Sequence, residues 1–514
     1  MDGHTQRDSL AWTALGVLKE SRAAERRLMM LKKLVLLSAT VLVLNLSLSP
    51  VWAEDDNPSA LERDRYLLLD SRIIENAENA KLTIGKVQKY KGNPLFEEDK
   101  PWEKRFDNLY ANVIYDEQEK IYKCWYSPFI IDDSAKGMTL AQREEIDYDP
   151  PREREMAICY ATSKDGIKWV KPELGLVEYE GTKATNILWR GVGEGGELWE
   201  GPHGSGIFKD LRDPDPNRRY KAFLKADILS VAFSADGIHW GKAVTCPEAD
   251  SAGDTHNNAF WAPTLGKYVG ITREWGRPFG RQVARTSSRD FINWEKCEIV
   301  LEGLDDKHQT YAMPVFYYGG VYLGLVAIFN TETDRTWTEL TWSPDTVKWN
   351  RVLPGTPLIP NADGKEGEYD WGCVYAAAYP VFLEDEIRLY YGGSDGKHGS
   401  WRNGFFCMAT LRPDGFAGYT QTESGESSTI TTIPIVCGER MLQLSADVEP
   451  DGFVKVKVLD ERNKLLAESN ALKRSVTDEK ITWQNEFSLS QLEAAVRIQL
   501  EFKNATVYSF SFVE

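Results

Sequence analysis

The residues best able to do chemistry stand just ahead of apolar, strand-like segments. Five stretches have this placing: Arg105-Phe-Asp107-Asn108, Glu197-Leu-Trp-Glu200-Gly-Pro-His203, Asp254-Thr-His256-Asn257, His308-Gln309-Thr310-Tyr311 and Glu368-Tyr-Asp370-Trp371. Three of the six histidines, His203, His256 and His308, fall in them, which scattered surface histidines would seldom do. Paired carboxylates suit cleavage of a glycosidic bond: one carboxylic acid protonates the leaving oxygen and a second carboxylate acts as nucleophile or base. Burial and a like-charged neighbour raise the pKa of one of the two so that it keeps its proton. Tryptophan and tyrosine rings offer flat apolar faces to sugar C–H groups. The candidate catalytic groups are Asp107 as nucleophile or base and Asp254 or Glu368 as general acid. The candidate substrate-binding groups are Asn108, His203, His256, Asn257, Arg273, Asp370 and Trp371. Arg273 and Arg285 could neutralise an acidic substrate or bind hydroxyls. For each carboxylate the competing role is a strand-end cap that satisfies backbone amides.

A repeated architecture is needed to bring such distant stretches together. Four segments align: Ser163-Lys-Asp165-Gly-Ile-Lys-Trp169, Ser234-Ala-Asp236-Gly-Ile-His-Trp240, Ser288-Arg-Asp290-Phe-Ile-Asn-Trp294 and Ser343-Pro-Asp345-Thr-Val-Lys-Trp349. Arg412-Pro-Asp414-Gly-Phe-Ala-Gly418 is a degenerate fifth copy. Ser and Asp cap a turn through their side chains, Gly accepts positive φ, and the Trp packs in the following strand. An apolar strand precedes each of the four copies, and a strand pair joined by a polar or glycine turn lies upstream of all five. Four strands in each of five units predict an all-β chain with a five-bladed β-propeller. Inner strands would line a funnel, and their starting ends, with the residues above, would crowd one rim. Two stacked sandwiches are the rival architecture, and they would not explain the recurring turn.

The ends read differently. Lys32-Lys33, the apolar run Leu34–Leu48 and Pro50-Val-Trp-Ala53 have the layout of an export signal cleaved after Ala53. Residues 1–28 then read as an extension of the gene model, and the mature chain as periplasmic or extracellular, with no stable membrane insertion. The expected divisions are 1–53, a propeller with lead-in over 54–421, and a C-terminal β-sandwich over 429–514. The lead-in carries candidate strands Tyr66–Asp70 and Leu82–Val87, and could close the ring by adding a strand to the last blade. In the C-terminal part, Ile481–Phe487 reads as a strand and Ser490–Ala494 as a turn of helix capped by Ser490. The seven widely spaced cysteines exclude a zinc ribbon and a dense disulfide framework, and read as buried thiols. The net charge of −17 repels phosphate backbones, so nucleic acid is an unexpected partner.

The S-x-D-G-I-x-W turns at 163–169 and 234–240, Tyr122-Lys-Cys-Trp-Tyr126 and Tyr390-Tyr-Gly-Gly-Ser-Asp395 resemble the five-bladed propeller superfamily of glycoside hydrolases, families 32 and 43 among them. The nearest resemblance is to exported bacterial proteins labelled as family 32 N-terminal-domain-like, and it covers about residues 62–514. It implies a carbohydrate substrate, no cofactor, and acids at the starts of inner strands, where Asp107 fits. The family 32 sequence W-M-N-D-P-N-G is replaced here by Arg105-Phe-Asp-Asn-Leu-Tyr110. Arg212-Asp213-Pro214 spells another family triplet but follows an inner strand, so it reads as a turn at the opposite rim. A non-catalytic glycan-binding propeller and a metal site built from His203, His256, His308 and Asp107 stay open as alternatives, as does a structural calcium ion.

Overall fold

A computed structural model describes residues 64–514 except 133–136, 147, 150–153, 192–201, 439 and 493. The leader and cleavage site expected in 1–53 lie outside the described residues, as do Glu197 and Glu200. The described chain is nearly all β; its one α-helix, Leu140–Glu144, is a single turn begun by a Thr139/Gln142 capping box. No described helix is long and apolar enough to cross a membrane.

Five antiparallel runs follow one another along the chain. The first orders Asn112–Asp116, Ile121–Tyr126, Glu155–Ser163 and Trp169–Val170. The second orders His203–Lys209, Tyr220–Lys225, Leu229–Ser234 and Val244–Thr245. The third orders Asn258–Ala262, Lys267–Gly276, Gly280–Ser288 and Glu298–Leu301. In the fourth, His308–Thr310 and Val315–Tyr318 both pair with Val321–Asn330, followed by Arg335–Ser343 and Asn350–Arg351. In the fifth, Cys373–Ala376 and Val381–Phe382 pair with Ile387–Ser394, followed by Gly404–Leu411. The outer edge of Gly404–Leu411 is completed by Gln88–Lys89 and Phe96–Glu97, from ahead of the first run.

Each run touches the next, and the fifth touches the first. Asn112 bridges Ala378 and donates from Nδ2 to the Ser205 carbonyl at 2.7 Å. Ser205 bridges Asn257. Asn258 Oδ1 accepts the Val315 amide at 3.0 Å. Thr336 pairs with Cys373 in parallel, which joins the fourth and fifth runs. Asparagine suits these buried seams because one amide group both donates to and accepts from a neighbouring backbone.

The repeated turns form as their composition predicts. Ser163 Oγ accepts the Gly166 amide at 2.9 Å, and Asp165 Oδ1 accepts the Ile167 and Lys168 amides, both at 2.8 Å. The second copy has the same bonds from Ser234 and Asp236. Positive φ recurs at Gly166, Gly237, Phe291 and Thr346, although only two of these are glycine. The turns also dock between runs: Trp125 Nε1 donates to the Gly237 carbonyl at 2.7 Å and Tyr390 OH to the Gly166 carbonyl at 2.9 Å. Asp236→Ala removes the acceptor for two amides. It should cost about 1 kcal/mol, read as a melting temperature lower by about 2 °C.

The C-terminal part is built around two long bent strands, Met441–Leu459 and Arg497–Val513, paired antiparallel. Val476–Lys480, rather than the expected Ile481–Phe487, supplies the strand beside Met441–Leu459. The expected helical turn is the 3-10 segment Leu489–Gln491, capped by Ser488 instead of Ser490. The two expected lead-in strands appear as Arg65–Leu67 and Ala80–Ile84, and neither joins the fifth run. They pair with Arg497–Val513 and Ala417–Gln421, so pairing crosses the expected boundary at 421–429. Alternation explains this placement: Tyr66 and Leu68 enter the C-terminal core while Leu67 and Leu69 enter the core of the fourth and fifth runs. All seven cysteines are buried free thiols. Arg212-Asp-Pro214 lies in the turn after His203–Lys209, where Asp213 binds Lys221 Nζ at 2.8 Å.

Candidate functional site

Asp107 sits in a strained corner. Asp107, Leu109 and Tyr110 have φ of +53°, +61° and +44°, a left-handed backbone that costs non-glycine residues energy and that clusters at functional sites. The corner delivers Asp107 to two guanidinium groups: Arg105 Nη2 donates to Oδ1 at 2.6 Å and Arg402 Nη2 to the same oxygen at 2.8 Å. Burial opposes ionisation, yet Arg402, then Arg105, His398 and Arg154, hold the carboxyl well below the usual range. Asp107 is therefore fixed as a carboxylate, fit for a nucleophile or base and unfit for an acid.

From Asp107 a continuous path leads to Asp254. Arg402 Nη2 also donates to Asn108 Oδ1 at 2.7 Å. Asn108 Nδ2 donates to Tyr110 OH at 2.8 Å and to Tyr311 OH at 3.3 Å. Arg273 stacks on the Tyr311 ring at 4.2 Å, donates from Nη2 to the Tyr311 carbonyl at 3.2 Å, and from Nη1 to Asp254 Oδ2 at 3.1 Å. Asp254 Oδ1 lies 2.9 Å from His203 Nε2. The side chain of Asp254 is 35% exposed and that of Asp107 15%, so Asp254 is the more open to an arriving ligand. His398 Nε2 meets Tyr311 OH at 3.0 Å, and Asp334 binds the Gly399 amide at 2.8 Å.

The structure brings together Asp107, Asn108, His203, Asp254 and Arg273 of the expected site, with His256 beneath them. Arg273 holds Asp254. His256 faces inward to Asn112 Oδ1 at 3.2 Å, with the Tyr110 ring beside it. Asn257 is a brace: its Nδ2 reaches the Gly253, Thr255 and Gly204 carbonyls and its Oδ1 accepts from Thr272. Glu368 is not brought to Asp254; it is exposed on the loop before the fifth run, where its backbone closes turns with Lys365 and Trp371. Asp370 is buried against Lys89 Nζ at 2.6 Å and Tyr391 OH at 2.9 Å, an ion pair between the lead-in and the fifth run. Trp371 carries Arg335 on its face at 4.5 Å. Arg285 points away to Thr346 Oγ1 at 2.8 Å. His308 is taken up by Asp305 at 2.9 Å and Asn330 at 3.0 Å, so it does not join His203, His256 and Asp107. Among the described residues no group of three or more His, Cys, Asp or Glu is placed to hold a metal.

Arg402, His398, Tyr311, Tyr110 and Arg281 complete the cluster and were not among the expected site residues. Tyr110 and Tyr311 stand just ahead of first strands, in stretches already singled out; the signal for Arg402, His398 and Arg281 lay in topology, since the hairpins Gly276–Gly280 and Ser394–Gly404, between second and third strands, return to the end where first strands begin.

Burial pushes the imidazoles of His203 and His398 down to about 4 and that of His256 to about 3; Asp254 opposes the shift at His203 and Asp334 at His398. Each is depressed below its unfolded value, so the unfolded chain binds the extra proton first. Stability should fall as pH drops from about 6.5 towards 4, by on the order of 2 kcal/mol for each histidine. Calorimetric melts across this window test this: a His256→Gln variant should show a shallower decline, and an equal slope would show that His256 is not held neutral.

No family model matches the chain, and no curated protein matches it. Among solved structures it is similar to an N-acetylgalactosamine deacetylase from F. plautii crystallised with blood group B trisaccharide. That likeness is at 14% identity and a TM-score of 0.44, over 63% of this chain and 95% of that one. It is similar to a structure from the GH130 family of mannoside phosphorylases and hydrolases of β-1,2 mannosidic linkages, at 17% identity and 0.43, over 64% and 95%. The GH62 α-L-arabinofuranosidase catalytic domain of Coprinopsis cinerea is similar at 12% and 0.42, over 63% and 97%. These likenesses are too distant to carry function.

Proposed function

We propose that the five runs form a five-bladed β-propeller followed by a β-sandwich, and that the rim cluster binds carbohydrate and cleaves O-glycosidic bonds in an exported protein. The observation that carries this is the unbroken path from Asp107 through Arg402, Asn108, Tyr311 and Arg273 to Asp254. It fixes two carboxylates in unlike settings at one mouth. Asp107, locked as an anion, is the nucleophile or base. Asp254, open on one edge and bonded to Arg273 and His203, is the second carboxylate of the pair. Trp275, 51% exposed beside Arg273, is a platform for a sugar face.

The test is release of reducing ends from a broad polysaccharide panel by the intact chain, with Asp254→Asn as control. Cleavage lost in the variant supports the reading; cleavage of nothing, with glycan binding retained, supports a second one, a glycan-binding protein. A specific observation favours that second reading: both guanidiniums bind the same oxygen of Asp107 and restrain its attack.

A further inference from the structure

We infer that the sugar taken at this rim is acidic, and that Arg281 receives its negative charge; the inference rests on the carbohydrate reading above and names the substrate class for that site. Arg281 lies directly opposite Trp275 across the Gly276–Gly280 hairpin, and Arg273 opposite Val283, two positions further along. Alternation along the strands therefore puts Arg273, Trp275 and Arg281 on one face. Both arginines lie against the Tyr311 ring and against Trp275: the Arg281 guanidinium is 5.1 Å from the Tyr311 ring, 4.9 Å from Trp275 and 4.9 Å from Phe329, and that of Arg273 is 4.2 Å from Tyr311 and 5.7 Å from Trp275.

The other guanidiniums of the cluster have carboxylate partners. Arg273 has Asp254, and Arg105 and Arg402 share Asp107. Arg281 has none among the described residues; its Nη1 donates to the neutral amide oxygen of Gln309 at 3.0 Å, and its Nε has no acceptor. The carboxylate on the same hairpin, Glu274, points to the other face and accepts the Ala252 amide at 3.0 Å. Asp334, on the neighbouring loop, is engaged by the Gly399 amide and lies against His398. A half-buried cation wedged among three rings is held in place and partly dehydrated without a counter-ion, so an incoming anion meets a fixed charge rather than a hydrated, mobile one. The exposed indole beside it supplies the apolar surface that a sugar ring needs. The shared chemistry is an oxyanion on the ring: the carboxylate of a uronic acid or a sulfate ester.

The experiment is calorimetric binding to the full chain at low temperature, where turnover during a titration is slow, with Asp254 kept so that Arg273 stays paired, and with four probes. These are an oligogalacturonate, its carboxyl-reduced form, a sulfated galactan oligosaccharide and its desulfated form. We expect at least one acidic probe to bind tenfold or more tighter than its neutral partner, with a gap that narrows at high salt. In Arg281→Gln the gap should shrink to about twofold, and Arg281→Lys should keep part of it. Whichever acid retains the gap names the source of the charge. A gap unchanged in Arg281→Gln, or neutral probes bound as tightly as acidic ones, overturns the inference. Loss of acidic and neutral binding together, with a lowered melting temperature, would mean that Arg281 only packs the rings, and overturns it too. Acid-selective binding by a chain that cleaves nothing in the panel would end the cleavage proposal and leave this one standing.

Discussion

Replacing Asp107 with Asn should stop glycan cleavage and lower the melting temperature of the same protein. The two losses share one cause. Asp107 Oδ1 is the meeting point of Arg105 and Arg402, and an amide there keeps the acceptor oxygen but removes the charge. Breaking a buried ion pair from one side costs about 3–5 kcal/mol. Here the contact of Arg105 with Asp132 at 3.7 Å and the bond of Arg402 to Asn108 reduce that cost. Asp254→Asn separates chemistry from folding. Asp254 is more exposed than Asp107, although its partner Arg273 is buried, so this variant should melt above Asp107→Asn while its rate falls by about 10²–10⁴-fold. The measurements are reducing ends released per minute and scanning calorimetry on the same samples. Full activity in either variant removes that carboxylate from the mechanism, and an unshifted melt in Asp107→Asn removes its part in holding the rim.

The largest stability loss is expected from Asp414→Ala, at the degenerate fifth turn. The other four turn aspartates accept amides of their own turns. Asp414 is fully buried and accepts instead from Arg65, from Tyr318 OH at 2.5 Å, from Ser445 Oγ at 3.0 Å and from Ser509 Oγ at 2.6 Å. One carboxylate thus ties the first described strand, a hairpin of the fourth run and both long C-terminal strands. Its removal leaves the Arg65 guanidinium and three hydroxyls without that acceptor, at about 3–5 kcal/mol. Tyr318→Phe, which removes one donor, should cost about 1 kcal/mol. Calorimetry should show the Asp414→Ala transition lowered by several degrees; a melt that coincides with the parent would show that this junction contributes nothing.

The sequence was readable where local chemistry decides. The Ser-x-Asp turns are set by side chains two or three residues from the amides they cap, so four copies could be aligned and each followed by its tryptophan. Asp107, His203 and Asp254 come near one another because His203 begins a first strand and the other two stand a few residues ahead of one. Glu368 and Asp370 have the same placing and the reading failed for them: a long loop precedes Cys373–Ala376, which leaves Glu368 at its surface and lets Asp370 find Lys89 from the lead-in. Asn257 was misread because its four bonds, three to backbone carbonyls and one to Thr272, depend on the fold around it. Arg402 and Arg281 were missed because they come from second hairpins, whose rim position follows only once the strand order is known. The partners of Arg65–Leu67 were equally hidden, since nothing local states which of two cores each face of a strand will enter.

Gln88–Lys89 and Phe96–Glu97 complete the outer edge of a run whose other strands are made some three hundred residues later. During synthesis this early segment must wait for that partner until Gly404–Leu411 emerges. A chain shortened to start at the first run would expose the backbone edge of Gly404–Leu411 as a template for another copy.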